Sequence, residues 1–228
     1  MYMFFSPTYI IIVPAILLTL YAQFKVQSTF KKYLGVPSRN GDTGYAVARK
    51  LLDSKGLYSV PIEVSGGRLS DHYDPMSRTI RLSEDVYYGS SIASISVAAH
   101  ETGHAIQHAE NYSPLMIRHS LFKVANIGSS LSWVFILLGM IFTSSNLILF
   151  GIIFFTAAVA FQVITLPVEF NASARALSLL ESSNILYREE VQESKKVLSA
   201  AALTYVAAAL TSILELARLL LIYNRNND

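Results

Sequence analysis

The chain has 228 residues, of which 52% are apolar and only 15% are charged, and its mean hydropathy is +0.40. Soluble domains carry about 25% charged residues, so this composition argues against an ordinary soluble protein, and the high apolar content excludes a disordered one. The net charge of +2 is too small to indicate a nucleic-acid partner, and the lack of cysteine excludes disulfide frameworks and cysteine-ligated zinc sites.

Four apolar segments are predicted to cross a bilayer, for which about 20 apolar residues are needed. The predicted spans are residues 1–24, 127–142, 146–168 and 197–222. The first is interpreted as an uncleaved anchor, because no basic residue precedes it and no A-x-A cleavage site follows it. The fourth is rich in alanine and contains Glu215 and Arg218, so a buried helix of a soluble core is the alternative for that segment.

The distribution of charge predicts an orientation in the membrane. The hairpin 143–146 between the second and third spans is uncharged, whereas basic residues flank the other ends of the spans. These basic residues are Lys25, Lys31, Lys32, Arg118, Lys123, Arg175, Arg188, Lys195 and Lys196. Cytoplasmic segments are enriched in lysine and arginine. We therefore expect a multi-pass integral membrane protein with residues 25–126 and 169–196 in the cytoplasm.

Residues 25–126 have the pattern of a small α+β domain. Asp42 or Thr43 is suited to cap a helix that ends near Gly56. The other predicted elements are strands at 60–64, 69–73 and 79–82 and a long helix at 90–110. The expected fold class is a mainly α membrane protein with four transmembrane helices and a small cytoplasmic α+β, zincin-like domain.

The middle of the long predicted helix contains the sequence His100-Glu101-Thr102-Gly103-His104. Histidines at positions i and i+4 lie one turn apart on one face of a helix, where both imidazoles can bind the same ion. Glu101 lies about 100° further round the helix, where a general base for a metal-activated water is expected. The H-E-x-x-H pattern therefore predicts a catalytic zinc held by His100 and His104.

A catalytic zinc usually has three protein ligands, and the sequence offers two candidates for the third. His108 lies about 12 Å from His100 along a straight helix at about 1.5 Å per residue, which favours a supporting or substrate-binding role for it. Glu169 directly follows the third predicted span, and a carboxylate at the end of an apolar segment indicates a function. An ordinary interfacial acidic residue is the alternative for Glu169.

Four segments together resemble a known family: residues 98–108, 166–173, 71–75 and 81–83. Over nearly its whole length the chain resembles the YugP-type membrane zinc metallopeptidases of bacteria. It is more distantly similar to HtpX and the CAAX prenyl proteases, within the gluzincins. The resemblance implies a protein of the bacterial cell membrane that is a neutral endopeptidase and acts on peptide or protein substrates.

The resemblance also implies roles for individual residues. It gives His100, His104 and Glu169 as the ligands of one zinc ion per chain, and Glu101 as the base. The HtpX pattern has an aspartate four residues after its ligand glutamate, where this chain has Ser173. Asn171 is the candidate to replace that aspartate in orienting a ligand histidine.

The segment 71–74 is dense in polar groups and is predicted to lie beside the zinc helix. As an edge strand it could bind an extended peptide, and His72 or Tyr73 could then face the site and stabilise an oxyanion. The alternative is a hairpin end whose side chains serve the turn.

The sequence thus predicts a membrane-bound zinc endopeptidase. The main alternative is a non-enzymatic membrane adaptor with a structural or vestigial zinc site. An intramembrane protease of the site-2 type is disfavoured, because its further ligand lies in an Asp-Gly motif that this sequence lacks.

Overall fold

The structure is a computed structural model in which residues 7–225 are described. Residues 1–6 of the first predicted span lie outside the described residues. The elements in chain order are a 3₁₀ helix (Pro7–Ile11), α1 (Val13–Leu34), α2 (Gly44–Ser54), β1 (Ile62–Ser65), β2 (His72–Asp74), β3 (Thr79–Ser83), α3 (Glu84–Tyr87), α4 (Ile92–Ala109), α5 (Ser113–Ile141), α6 (Ser145–Ser182) and α7 (Arg188–Arg225).

The chain forms two compact units. The unit called here the mixed unit comprises Phe24–Leu115 and Val168–Leu203 and contains all three strands. The other, called the helical unit, comprises the described parts of Met1–Gln23, Met116–Pro167 and Thr204–Asp228. Residues 25–115 of the predicted α+β segment 25–126 lie in the mixed unit, together with residues from the second half of the chain, whereas residues 116–126 belong to the helical unit.

The mixed unit contains a three-stranded sheet in the order β1-β3-β2. β1 is parallel to β3, with Ile62 opposite Ile80, and β2 is antiparallel to β3, with Tyr73 also opposite Ile80. Ile80 and Leu82 of the central strand are fully buried. Because β2 pairs with only one strand, it forms an edge of the sheet. β2 also contacts α4.

Two helices of the mixed unit begin at the residue types that favour a helix start. The Thr43 hydroxyl accepts a hydrogen bond from Ala46 N at 3.2 Å and caps α2. The Ser91 hydroxyl accepts from Ser94 N at 3.1 Å and caps α4. Such caps stabilise a helix by about 1 kcal/mol. The predicted long helix at 90–110 is confirmed as α4, which is buried along most of its length.

The helical unit contains the most apolar helices. Among the described residues, three helices are long and apolar enough to span a membrane, α5, α6 and α7. The second, third and fourth of the four predicted spans lie on these three helices. α1 is not among the three, and Lys25, Lys31 and Lys32 lie in its second half.

The helix that carries the third predicted span extends beyond that span. Residues 169–196 were predicted as a cytoplasmic loop that completes the zinc site, but α6 continues through Pro167 as far as Ser182, and α7 begins at Arg188. Proline has no N–H to donate and usually breaks a helix. Here the helix is continuous, so Glu169 lies on a helix rather than on a loop.

Candidate metal centre

Three side chains of the mixed unit form a group that could hold a metal ion. They are His100 and His104 of α4 and Glu169 of α6, and their ligand atoms all lie within 4.8 Å of one another. Glu169 Oε2 is 3.3 Å from His100 Nε2 and 3.5 Å from His104 Nε2. Glu169 is 2% exposed and His104 8%. His100 and Glu169 thus lie in one site although they are 69 positions apart in sequence.

The chemistry of this group fits zinc. Two imidazole nitrogens and one carboxylate oxygen form a common ligand set of catalytic zinc, which leaves a further coordination position open. Both histidines direct the same nitrogen, Nε2, towards the glutamate oxygen. Each histidine binds another side chain through Nδ1, as metal-ligating histidines almost always do.

The Nδ1 atom of His104 is held by Gln107, which the sequence analysis did not select. His104 Nδ1 and Gln107 Oε1 are 3.0 Å apart, and Gln107 Nε2 donates to the Val168 carbonyl at 2.8 Å and to Asn171 Oδ1 at 2.9 Å. Because both partners of Nε2 are acceptors, Oε1 must be the atom that faces the histidine. His104 Nδ1 therefore carries the proton, and Nε2 keeps a lone pair for a metal.

His100 is held in the same way by Ser173. Its Nδ1 lies 3.1 Å from the Ser173 hydroxyl, which can accept the ring N–H. This serine occupies the position at which the HtpX pattern has an aspartate, so the orienting hydrogen bond is present with a neutral partner. Asn171 does not contact a histidine in the hydrogen bonds observed: its Oδ1 accepts from Gln107 and from Arg175 Nε at 2.7 Å.

Glu101 lies on the neighbouring face of α4 and is 7% exposed. Burial raises the pKa of its carboxyl to about 7, against the opposing effects of the nearby His100 and of the Tyr73 backbone N–H, which hydrogen-bonds to it. The edge strand β2 thus touches the candidate base through its backbone. A general base works best with a pKa near the operating pH.

Gly103 brings α4 and α6 close together beside the three candidate ligands. A Cβ atom at position 103 would lie 2.7 Å from the backbone oxygen of Ala172, a contact that real Cβ atoms essentially never make. Small residues permit such a close approach of two helix backbones. The glycine inside the H-E-x-x-H motif therefore allows the helix that carries Glu169 to approach the helix that carries the histidines.

The remaining candidate residues lie apart from the three donors. His108 is not a member of the metal-binding group, and its Nδ1 is 2.8 Å from the Tyr73 hydroxyl. His72 is exposed, and its Nδ1 is 2.7 Å from the Ser70 carbonyl oxygen. Tyr73 therefore links β2 to α4 through its side chain as well as its backbone, whereas the described contact of His72 is within its own loop.

Comparisons with known proteins agree with this chemistry. The model of a family described as "Putative neutral zinc metallopeptidase" matches residues 8–224. The "Putative membrane protease YugP" of Bacillus subtilis (strain 168) is 53% identical over 216 residues, which cover 95% of this chain and 96% of that protein. No solved structure matches significantly. The family resemblance inferred from the motifs is confirmed.

Proposed function

From the premise that this chain belongs to the family of neutral zinc metallopeptidases, we propose that it is a membrane-bound, zinc-dependent endopeptidase. The observation that carries the proposal is the convergence of His100, His104 and Glu169 beside the buried carboxyl of Glu101. Two nitrogen ligands and one oxygen ligand, next to a base, are the parts that hydrolysis of a peptide bond requires.

In this proposal His100, His104 and Glu169 hold one zinc ion, and Gln107 and Ser173 fix the orientation of the two imidazoles. When bound, zinc acts as a Lewis acid that polarises a carbonyl group and lowers the pKa of water. Glu101 accepts a proton from the attacking water and donates it to the nitrogen of the leaving amine, so that one group serves as base and then as acid.

The peptide substrate is proposed to lie along β2. This strand pairs with β3 on one side only, and its Tyr73 N–H reaches Glu101 on the other side. An extended peptide placed beside such an edge brings its backbone next to the base. We assign no oxyanion-stabilising role to His72, because its ring is directed to the carbonyl of Ser70.

The test is the substitution Glu101→Gln, which keeps the shape of the side chain but removes its ability to accept a proton. We expect zinc to be retained and hydrolysis of a quenched peptide to fall by about 10⁴-fold, the upper end of what a general base contributes. Glu84→Gln is a matched control, because Glu84 is exposed in the first turn of α3. Near-normal turnover by Glu101→Gln would exclude the proposed mechanism.

The same experiment separates the enzyme from a non-enzymatic adaptor with a structural zinc. Structural zinc sites are usually closed by four ligands and favour cysteine, whereas this group has two histidines and one glutamate and the sequence has no cysteine. An adaptor would bind zinc in both wild type and Glu101→Gln and would cleave peptides in neither.

We further propose that the protein crosses a bacterial cell membrane several times with the candidate metal centre on the cytoplasmic side. Three apolar helices and the excess of basic residues next to their predicted cytoplasmic ends support this orientation. Single cysteines at Ser145 and Ser182, at opposite ends of α6, should react with an impermeant reagent from opposite sides of the membrane. The chain has no native cysteine, and labelling from one side only would contradict the layout.

A further inference from the structure

A cavity of about 450 Å³ in the mixed unit begins one helical turn after the proposed base. Its lining includes Ala105 and His108 of α4 and Tyr73 of β2. Ala105 and His108 follow Glu101 at positions i+4 and i+7 and therefore share its face of the helix. Because Tyr73 also hydrogen-bonds to Glu101 through its backbone, a peptide held at Glu101 can place a neighbouring group in this cavity.

The cavity has a polar pair in its wall. The hydroxyl of Tyr73 and Nδ1 of His108 are 2.8 Å apart, and their rings meet edge to face with centroids 5.8 Å apart. Both side chains are partly buried. Contact with each other fixes their positions, so the pair presents polar atoms at defined places to a group that enters the cavity.

Arg78 supplies the positive charge of the cavity. It ends the turn between β2 and β3 with a φ of 53°, and its side chain is exposed and lines the cavity. Burial raises the pKa of Tyr73 and lowers the pKa of His108, and the positive charge of the nearby Arg78 opposes the first shift and adds to the second.

No acidic residue among the described lining residues balances this charge. Two acidic side chains near the turn are engaged elsewhere. Asp74 accepts hydrogen bonds from Met76 N, from the Ser77 hydroxyl and from Arg81 Nη1. Glu63 binds Arg81 Nε at 3.1 Å. The charge of Asp74 also acts on Tyr73 and opposes that of Arg78 there, but Asp74 is not among the described lining residues, whereas Arg78 is. The fork of an arginine matches the two oxygens of a carboxylate.

We propose that this cavity binds a carboxylate of the peptide substrate, with Arg78 as the residue that determines the specificity. The carboxylate belongs either to an acidic side chain near the scissile bond or to the free C-terminus of a short peptide. The proposal rests on the endopeptidase function proposed above and names a class of substrate for it.

The experiment uses the zinc-loaded full chain and quenched peptides that differ at a single position. Glu, Gln or Lys is placed in turn at each of three positions on either side of the cleaved bond, and each peptide is made with a C-terminal acid and with an amide. We expect kcat/KM to be about threefold higher for Glu than for Gln at one position, or for acid than for amide, as one ion pair with an exposed arginine would give.

Three variants identify the responsible residue. Arg78→Gln should abolish the preference for the carboxylate and leave zinc affinity unchanged, and Arg78→Glu should shift the preference towards Lys. Arg68→Gln is the matched control, because Arg68 is an exposed arginine that pairs with Asp85 and does not line the cavity. It should keep the preference of the wild type.

A binding measurement separates this proposal from the proposed function. The same peptides, without the quencher, are titrated into Glu101→Gln protein and into the double variant Glu101→Gln/Arg78→Gln, and fluorescence anisotropy gives Kd. Tighter binding of the carboxylate peptide that is lost with Arg78 supports the cavity even if wild type hydrolyses nothing, in which case the endopeptidase function alone fails. Equal binding of Glu, Gln and Lys peptides and of acid and amide peptides, or a preference that survives Arg78→Gln, overturns the proposal.

Discussion

The buried helix α4 of the mixed unit and the long helices of the helical unit differ in how much apolar surface they expose. In the mixed unit the large aliphatic side chains of the central strand and of α4 are buried; Ile80, Leu82 and Ile95 have no exposed surface. In the helical unit Phe142 is 67% exposed and Ile153 is 57% exposed. Large apolar surfaces of this kind are rare in soluble proteins. The long helices of the helical unit therefore have the apolar surface that is expected of candidate membrane spans.

Both units use glycine to bring helices together, but for different purposes. In the helical unit a Cβ atom at Gly151 would lie 2.6 Å from Ile136 Cγ1 and 2.8 Å from the Ser132 backbone oxygen, so α5 and α6 pack closely there. Close packing replaces the hydrophobic effect between helices in lipid. In the mixed unit Gly103 serves the candidate metal centre instead. The close contact at Gly103 lies beside the candidate metal ligands, whereas the close contact at Gly151 joins two apolar helices.

The largest expected effect is that of removing Glu169. Zinc sites bind with apparent free energies of about 10–16 kcal/mol, so one of three protein ligands contributes several kcal/mol. We expect Glu169→Ala to weaken zinc binding by about a thousandfold or more, as measured by competition with a chelator. His108→Ala is the control and should retain most of the affinity, because His108 is not a member of the group that could hold the metal. The reverse order of the two affinities would contradict the ligand assignment.

Removal of the Gln107 side-chain amide should have the next largest effect. Gln107→Leu keeps the approximate size of the side chain but replaces its amide with an apolar group, which leaves His104 Nδ1 without its partner. Loss of such a supporting contact typically costs about 10–100-fold in metal affinity. Gln162→Leu makes the same change on a half-buried glutamine of the helical unit and should leave zinc affinity unchanged. Equal affinities of Gln107→Leu and wild type would show that the hydrogen bond to His104 is dispensable.

The motif letters were sufficient to predict His100, Glu101 and His104 as a cluster, because residues four apart on a helix are neighbours regardless of the rest of the fold. Glu169 could be suggested by its place after an apolar segment and by the family resemblance. Its distance from the histidines depends on the course of α6, and the residues after the third predicted span were expected to form a loop instead of a helix. The sequence does not show that a helix continues through Pro167.

Gln107 was missed because glutamine is an ordinary residue of helices, and only its surroundings give it a role. Its partners, Val168 and Asn171, lie 61 and 64 positions later in the chain. The available signal was its position, three residues after the second histidine of the H-E-x-x-H motif. The partner of His100 was harder to predict, since a serine in place of an aspartate suggested a lost contact that the structure shows to be present.

A methyl group added at the contact between α4 and α6 should have a smaller effect on zinc affinity. Gly103→Ala forces a Cβ atom against the backbone of Ala172, and overpacking of this kind costs about 1–3 kcal/mol. We expect a lower melting temperature and zinc affinity reduced by about tenfold, because the two helices must separate. Gly66→Ala is the matched control, since nothing lies within 4 Å of a Cβ atom at that position. A Gly103→Ala protein with wild-type zinc affinity would show that the helices can shift without moving the ligands.

The smallest effect on the protein, and the most direct test of the comparison between the units, comes from spin labels at two equally exposed valines. Val163 on α6 in the helical unit and Val64 on β1 in the mixed unit are both 41% exposed, and the chain has no native cysteine. Exposed substitutions usually change stability by no more than about 0.5 kcal/mol, so labelled Val163→Cys and Val64→Cys should bind zinc like wild type. In lipid bilayers, the label at position 163 should be relaxed by dissolved oxygen, whereas the label at position 64 should be relaxed by a water-soluble nickel complex. If the nickel complex reached both labels equally, the exposed apolar surface of the helical unit would not face lipid, and the contrast between the two units would require another explanation.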